Sequence, residues 1–312
     1  MPKHAAWLAG LVILAGLPAH AIVIRDDVGV DGARDLGRPF TGVVSWFMGP
    51  SDNVHCSGSL VGKKKKTILT ARHCFTGGQP SYVHFYGAAD SQFQAIPVAS
   101  WEVLDTPGTN TDWFLDGYDL ALLYLRDTAP AWAQPLDFLW SDSSALRGKP
   151  FTMVGFGSWG VGSTGAVNAP DDIRRAATNV VDFYGPDVDD DEVNGNCEKA
   201  KNTDNLLAAD FDNPPGTANR LVDCGSQPEP SNNEGITGPA DSGGPLLVWD
   251  SKWLIAGVLA GGVSPSRYGG TSAWTGTNIH KGWITTRVGE PASLALLALG
   301  LAGLGLSRRR KA

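Results

Sequence analysis

Gly238-Pro239-Ala240-Asp241-Ser242-Gly243-Gly244-Pro245 carries the strongest chemical signal in the chain. A serine hydroxyl followed by two glycines can be exposed on a tight turn, where a substrate is able to approach the backbone. Serine is a weak nucleophile unless an imidazole takes its proton, and the imidazole must be held in one tautomer by a buried carboxylate. Two upstream runs offer those partners in order. They are Leu69-Thr70-Ala71-Arg72-His73-Cys74 and Tyr118-Asp119-Leu120-Ala121-Leu122-Leu123. Asp119 opens an apolar run, where an ionised carboxylate is costly unless it is hydrogen-bonded. Asp112 and Asp116 compete with it on position alone.

Together these runs resemble the His, Asp and Ser motifs of the chymotrypsin/trypsin family of serine endopeptidases. The resemblance implies an all-β fold of two six-stranded antiparallel β-barrels with the active site between them. It also implies His73 as general base, Asp119 as its orienting carboxylate and Ser242 as nucleophile. The oxyanion hole falls on the N–H groups of Ala240 and Ser242. The family has glycine where this chain has Ala240; if that position needs a backbone conformation favourable only to glycine, the Cβ resists it. The aspartate before the serine, Asp241, is expected to pair with the free amine of Ile22, although Ile24-Arg25 departs from the family's Gly-Gly. Ile236 stands where trypsins carry an acid. Ala260, Gly261 and Gly262 fall on the substrate-binding strand. These residues favour a small or apolar P1 side chain, with Glu234 nearby as the rival for a basic one. Cys56 and Cys74 match the family's bridge around the histidine, leaving Cys197 and Cys224 for a second bridge upstream of the serine.

Length and composition agree with a large β protein. The 312 residues are 42% hydrophobic, with 11 Trp and 11 Phe, enough for a sizeable core. The 39 Gly and 20 Pro predict many turns. Strands are expected over residues 40–47, 57–61, 67–71, 82–86, 94–103 and 119–125. In the second half they fall at 151–156, 174–183, 245–249 and 253–259. The first barrel is placed at about 22–135 and the second at about 145–289. Residues 185–233 are rich in Asp, Asn, Gly and Pro and read as enlarged surface loops. Asp187, Asp189 and Asp191 alternate like the start of a calcium loop, but Glu192 stands where that loop needs glycine. A solvated acidic loop is the expectation, and neither a metal nor an organic cofactor is called for. The lysines at 63–66 read as a solvated turn.

Both ends read as address segments. Lys3 precedes the apolar run 5–17, and Ala19-His20-Ala21 is a signal-peptidase site, so residues 1–21 are expected to be removed. Residues 290–312 contain an apolar run at 292–306 followed by Arg308-Arg309-Arg310-Lys311. Fifteen helical residues span about 22 Å, short of a hydrocarbon core of about 30 Å. This tail resembles the PEP-CTERM sorting signal of Gram-negative bacteria, with Gly289 in place of its first proline. That resemblance implies exosortase handling, transient membrane association and delivery outside the cell or to its surface matrix. Without both segments the body carries 20 basic and 31 acidic residues, a net charge of −11 that gives no support for nucleic-acid binding. The expected partner is a protein or peptide substrate, cleaved through an acyl-enzyme. The alternatives are a catalytically silent protease-like binding protein and an esterase with the same triad.

Overall fold

A computed structural model describes residues 22–49, 54–75, 78–89, 91–107, 116–185, 205–226, 232–263 and 266–288. The two address segments, Asp187, Asp189, Asp191 and Cys197 lie outside the described residues.

The chain opens with β1 (Val23–Ile24) and α1 (Gly29–Gly37). Six strands then build the first barrel: β2 (Val43–Phe47), β3 (Cys56–Val61), β4 (Thr67–Thr70), β5 (Tyr82–Tyr86), β6 (Phe93–Val103) and β7 (Ala121–Leu125). They close in the order β2-β3-β4-β7-β6-β5, every pairing antiparallel. Closure removes the unpaired edges that a short-stranded sheet exposes. Trp46, Leu60, Ile68, Leu69, Val83, Phe85 and Leu122 fill the interior and are inaccessible to solvent.

A connecting strand, β8 (Asp137–Phe138), leads to the second half. There follow β9 (Pro150–Gly155), β10 (Trp159–Val161), β11 (Gly165–Asn168), β12 (Arg175–Val180), β13 (Phe183–Gly185) and β14 (Leu206–Asp210). Then come β15 (Gly235–Ile236), β16 (Pro245–Asp250), β17 (Lys252–Val263), β18 (Thr271–Gly276) and the closing helix α2 (Lys281–Val288). The main sheet runs β12-β9-β16-β17-β18-β14-β13, with β8 attached to β17. Thus the first barrel closes as expected, while the second half is a half-barrel with an open strand path. Strand β14, wholly buried between β13 and β18, lies inside the stretch read from sequence as surface loops. The run Leu206-Leu207-Ala208-Ala209 is too short and too uniformly apolar to show a period, which hid it.

The first described residues do not join the barrel that follows them. Val23 pairs in parallel with Gly160 of β10 and antiparallel with Ile236 of β15. Ile22, Val23 and Ile24 are all buried, as three consecutive apolar residues in a strand covered on both faces must be. Helix α1 packs on β12. Its three glycines weaken a helix reading of the sequence, yet Gly37 is required. A Cβ there would come within 2.7 Å of the Arg174 carbonyl oxygen.

Arg174 ties the halves together. Its buried guanidinium donates to the carbonyls of Gly37 (2.8 Å), Tyr86 (2.9 Å), Arg38 and Gly87 (both 3.1 Å). Burial lowers its pKa to about 10, so it stays charged at neutral pH. Helix α2 returns across the molecule. Ile284 enters the same core as the barrel residues, and Val288 packs on Gly62 at the β3–β4 turn. Among the described residues no helix is long and apolar enough to cross a membrane.

Candidate active site

His73 follows β4 on a short 3-10 turn, and Asp119 stands just ahead of β7, the strand paired with β4. That pairing brings two residues 46 positions apart into contact. The Asp119 carboxylate accepts from the His73 backbone N–H (2.8 Å) through Oδ1, and its Oδ2 lies 2.6 Å from the imidazole Nδ1. Its side chain is inaccessible, whereas the His73 side chain is 25% exposed. The histidine therefore reaches the cleft while its orienting acid stays dry. Its other nitrogen, Nε2, lies 2.7 Å from Ser242 Oγ. Asp112 lies outside the described residues, and the Asp116 carbonyl accepts from Asn205.

The turn bearing Ser242 is fixed from several sides. The Asp241 N–H donates to the Gly238 carbonyl (3.1 Å) and the Gly244 N–H to that of Asp241 (2.7 Å). The Ser242 carbonyl accepts from the Ser57 N–H (2.8 Å) on β3. Gly243 has φ +82°, and a Cβ there would sit 2.1 Å from Thr70 Oγ1. Ser57 also donates from Oγ to the Ala240 carbonyl (3.2 Å) and accepts from the Phe156 N–H (3.0 Å). Beneath it, Trp46 Nε1–H donates to Thr70 Oγ1, which donates to the Ser57 carbonyl. The first barrel thus holds the Ser242 turn that the second half supplies. Ser57 escaped the sequence reading, because a serine inside a Ser-Gly-Ser strand signals nothing by itself.

Ala240 has φ +67°. The alanine thus holds left-handed backbone despite its Cβ. Among the described residues the N–H groups of Ala240 and Ser242 have no internal acceptor. Both remain available for an oxygen in the cleft.

Asp241 is buried. It accepts from the N–H groups of Gly238 (3.0 Å) and Gly157 (3.1 Å). Burial pushes its pKa up to about 8, although both backbone donors and Arg175 pull the other way. Gly157 leaves the room: a Cβ would meet the Pro239 carbonyl oxygen at 2.4 Å. Ile22 is 1% exposed, and β1 is sewn between β10 and β15, the strands that flank the Gly157 and Gly238 segments.

Ile236 is buried with Val23, Phe211 and Ala166. The next residue, Thr237, shares a buried hydroxyl–hydroxyl hydrogen bond with Ser272. Ser272 pairs with Gly262 across β17–β18, Ala273 pairs with Gly261, and Ala260 sits at a bulge between Leu259 and Gly261. The Thr237–Ser272 contact was not legible in the sequence. Glu234 is inaccessible and accepts from the Asp212 N–H (2.9 Å). Burial, with Asp212, Asp210 and Asp182 nearby, pushes its pKa up to about 8. Its carboxyl therefore holds its proton more tightly than a solvated glutamate does.

Cys56 and Cys74 form a disulfide beside His73, with a Cα–Cα distance of 6.4 Å. Cys224 is also disulfide-bonded. Among the described residues, one grouping could converge on a cation: Cys56, His73 and Cys74. Both of its sulfurs are committed to the disulfide.

Residues 27–213 match the Trypsin family. The chain belongs to the trypsin family. The match includes His73 and Asp119 but stops before Ser242, which the fold places against them. This trypsin-family chain also carries a PEP-CTERM protein-sorting motif at residues 288–311. Among solved structures it resembles neuropsin, a serine protease expressed in the limbic system of mouse brain. That likeness has a TM-score of 0.54 at 18% identity and covers 80% of this chain and 95% of that one. At this identity it speaks for the fold alone. No curated protein sequence matches the chain significantly.

Proposed function

We propose that this protein is an exported serine endopeptidase that works through an acyl-enzyme. The observation that carries the reading is the continuous path Asp119 Oδ2–His73–Ser242 Oγ, with contacts of 2.6 and 2.7 Å. Ser242 Oγ attacks the scissile carbonyl while His73 Nε2 takes its proton. The imidazolium formed is held by Asp119 through Nδ1–H. The oxyanion is received by the Ala240 and Ser242 N–H groups; one such donor is commonly worth about 10²–10³ in rate. His73 returns the proton to the leaving amine, which departs as the carbonyl reforms. Water then repeats the sequence on the acyl-enzyme, releasing the acid and restoring Ser242.

Three further roles belong to this reading. The Ile22 amine, freed by cleavage after Ala21, supplies the cation that the buried Asp241 carboxylate lacks. Ile236, Thr237, Gly262 and Ser272 shape a small or apolar P1 site. The sorting tail hands the body to exosortase-type machinery and brings it to the cell surface. The free N–H groups of Ala240 and Ser242 favour an enzyme over a silent binding protein. Peptide against ester turnover separates a protease from an esterase. The test of the nucleophile is fluorophosphonate labelling followed by mapping of the modified residue. Ser242→Ala is expected to abolish labelling and turnover with the circular dichroism unchanged. Equal labelling of that variant removes Ser242 from the role.

A further inference from the structure

The body is acidic, yet one turn of it is a run of lysines. The β3–β4 turn carries Lys63, Lys64, Lys65 and Lys66. Lys65 Nζ donates to the carbonyls of Pro130 and Ala131, and Lys66 Nζ to that of Arg126. Those bonds fix the turn, and Lys63 and Lys64 are left exposed. The turn touches the last turn of α2: a Cβ on Gly62 would lie 3.0 Å from the Val288 carbonyl oxygen. A groove of about 440 Å³ opens there, with Gly62, Lys63, Lys64, Phe138, Ile284 and Val288 on its walls. Asp137 at the groove is ion-paired with Lys252, so the lysines of the turn keep their charge uncompensated by it. Strand β17, which pairs with β8 at Leu254↔Asp137, begins in a hairpin that presents Trp249, 59% exposed, edge-on to Trp253. Phe138 in turn stacks on Trp140 at 4.9 Å. Cations beside exposed tryptophan and an apolar groove are the composition of a membrane-interface surface.

Position gives this face its occupant. The apolar run of the tail begins at Ala292, four residues beyond Val288. Four residues reach at most about 14 Å. We propose that the face made by the residue 63–66 turn, its groove and the Trp249 hairpin docks on an anionic phospholipid surface while the sorting tail is attached. The inference rests on the tail reading. The tail supplies proximity, and the face supplies orientation. With a net charge near −11, the rest of the body is repelled by the same headgroups. His73 stands at the opposite end of β4 from the lysine turn, so this orientation keeps the cleft away from the lipid.

The experiment is hydrogen exchange of the full chain bound to phosphatidylcholine vesicles, with and without phosphatidylglycerol. A lysine near an anionic surface strengthens binding by about fivefold, so two give about 25-fold at low salt. The expected result is attachment to both vesicles, with slowed exchange at residues 62–66, 137–140 and 249–253 only where phosphatidylglycerol is present. Lys63→Glu with Lys64→Glu is expected to erase that protection while attachment and Ser242 labelling persist. Equal exchange in both lipids, with the protein attached, overturns the proposal. So does protection of the groove without any vesicle, which identifies the tail as its occupant. Failure to attach to either vesicle shows instead that the tail reading is wrong, and the proposal falls with it.

Discussion

Replacing Ala240 by glycine tests the backbone on which the proposed oxyanion hole depends. At φ +67° the alanine Cβ crowds its own carbonyl, a conformation that costs an L-residue about 1–2 kcal/mol. Glycine removes that cost but gives back about 0.4–1 kcal/mol through the greater freedom of the unfolded chain. The net gain is about 0–1.6 kcal/mol, centred at about 0.8, and for a body of this size it raises Tm by at most about 6 °C. The turn is already closed in the folded protein, with the Ala240 carbonyl held by Ser57 Oγ and the Gly244 N–H held by Asp241. The strain is therefore present in free enzyme and transition state alike, and it cancels from the barrier. The rate of phosphonylation by a fluorophosphonate, or of acylation by an activated ester, is expected to change by less than about threefold, far below the loss that accompanies a missing donor. Thermal unfolding and stopped-flow acylation read the two quantities separately. An unchanged or lower Tm with acylation more than tenfold faster refutes the reasoning. It means that alanine holds the N–H out of place and that the turn closes only with glycine.

Four other expectations follow from the same geometry. A chain with one extra residue before Ile22 lacks an amine where Asp241 is buried; it should lose most activity and keep its secondary structure, and full activity in it refutes the pairing. If that pairing forms, a pH–activity profile is expected to show activity lost on the alkaline side as the Ile22 amine deprotonates. Asp182 and Glu234, raised to about 8, and Asp212, raised to about 7, hold protons more tightly folded than unfolded. Stability therefore falls as pH climbs from about 5 to 8, and Glu234→Gln should flatten that decline; a Tm rising over the range in both proteins contradicts the assignment. Peptide libraries should reveal cleavage after small or apolar residues, whereas efficient cleavage only after Lys or Arg refutes the proposed small or apolar P1 preference.

Much of the fold was legible because its signals are local. The strands of the first barrel alternate or run apolar between Gly, Pro and Asp breaks, and they fall within a few residues of their expected places. Local pattern misled where tertiary contact decides. Helix α1 forms through its packing on β12 despite three glycines, and β14 is a strand because β13 and β18 flank it. Arg174 looks like an ordinary surface cation in the sequence; only the fold reveals the carbonyls converging on it.

The candidate site divides in the same way. The order His73, Asp119, Ser242, the cysteines around the histidine and the acid before the serine are covalent facts, so they could be read directly. Whether Ala240 adopts positive φ is a question about a turn clamped by Ser57 and Gly244, residues far apart in the chain. That Glu234 is buried among other acids depends on the fold bringing it against Asp212, just beyond β14. Sequence by itself determined the chemistry available and the strand-rich class, because residue identity and short-range pattern fix both. Tertiary structure decided which residues share a few ångströms and which charges lose their water. Both are properties of long-range packing, which no single stretch of chain contains.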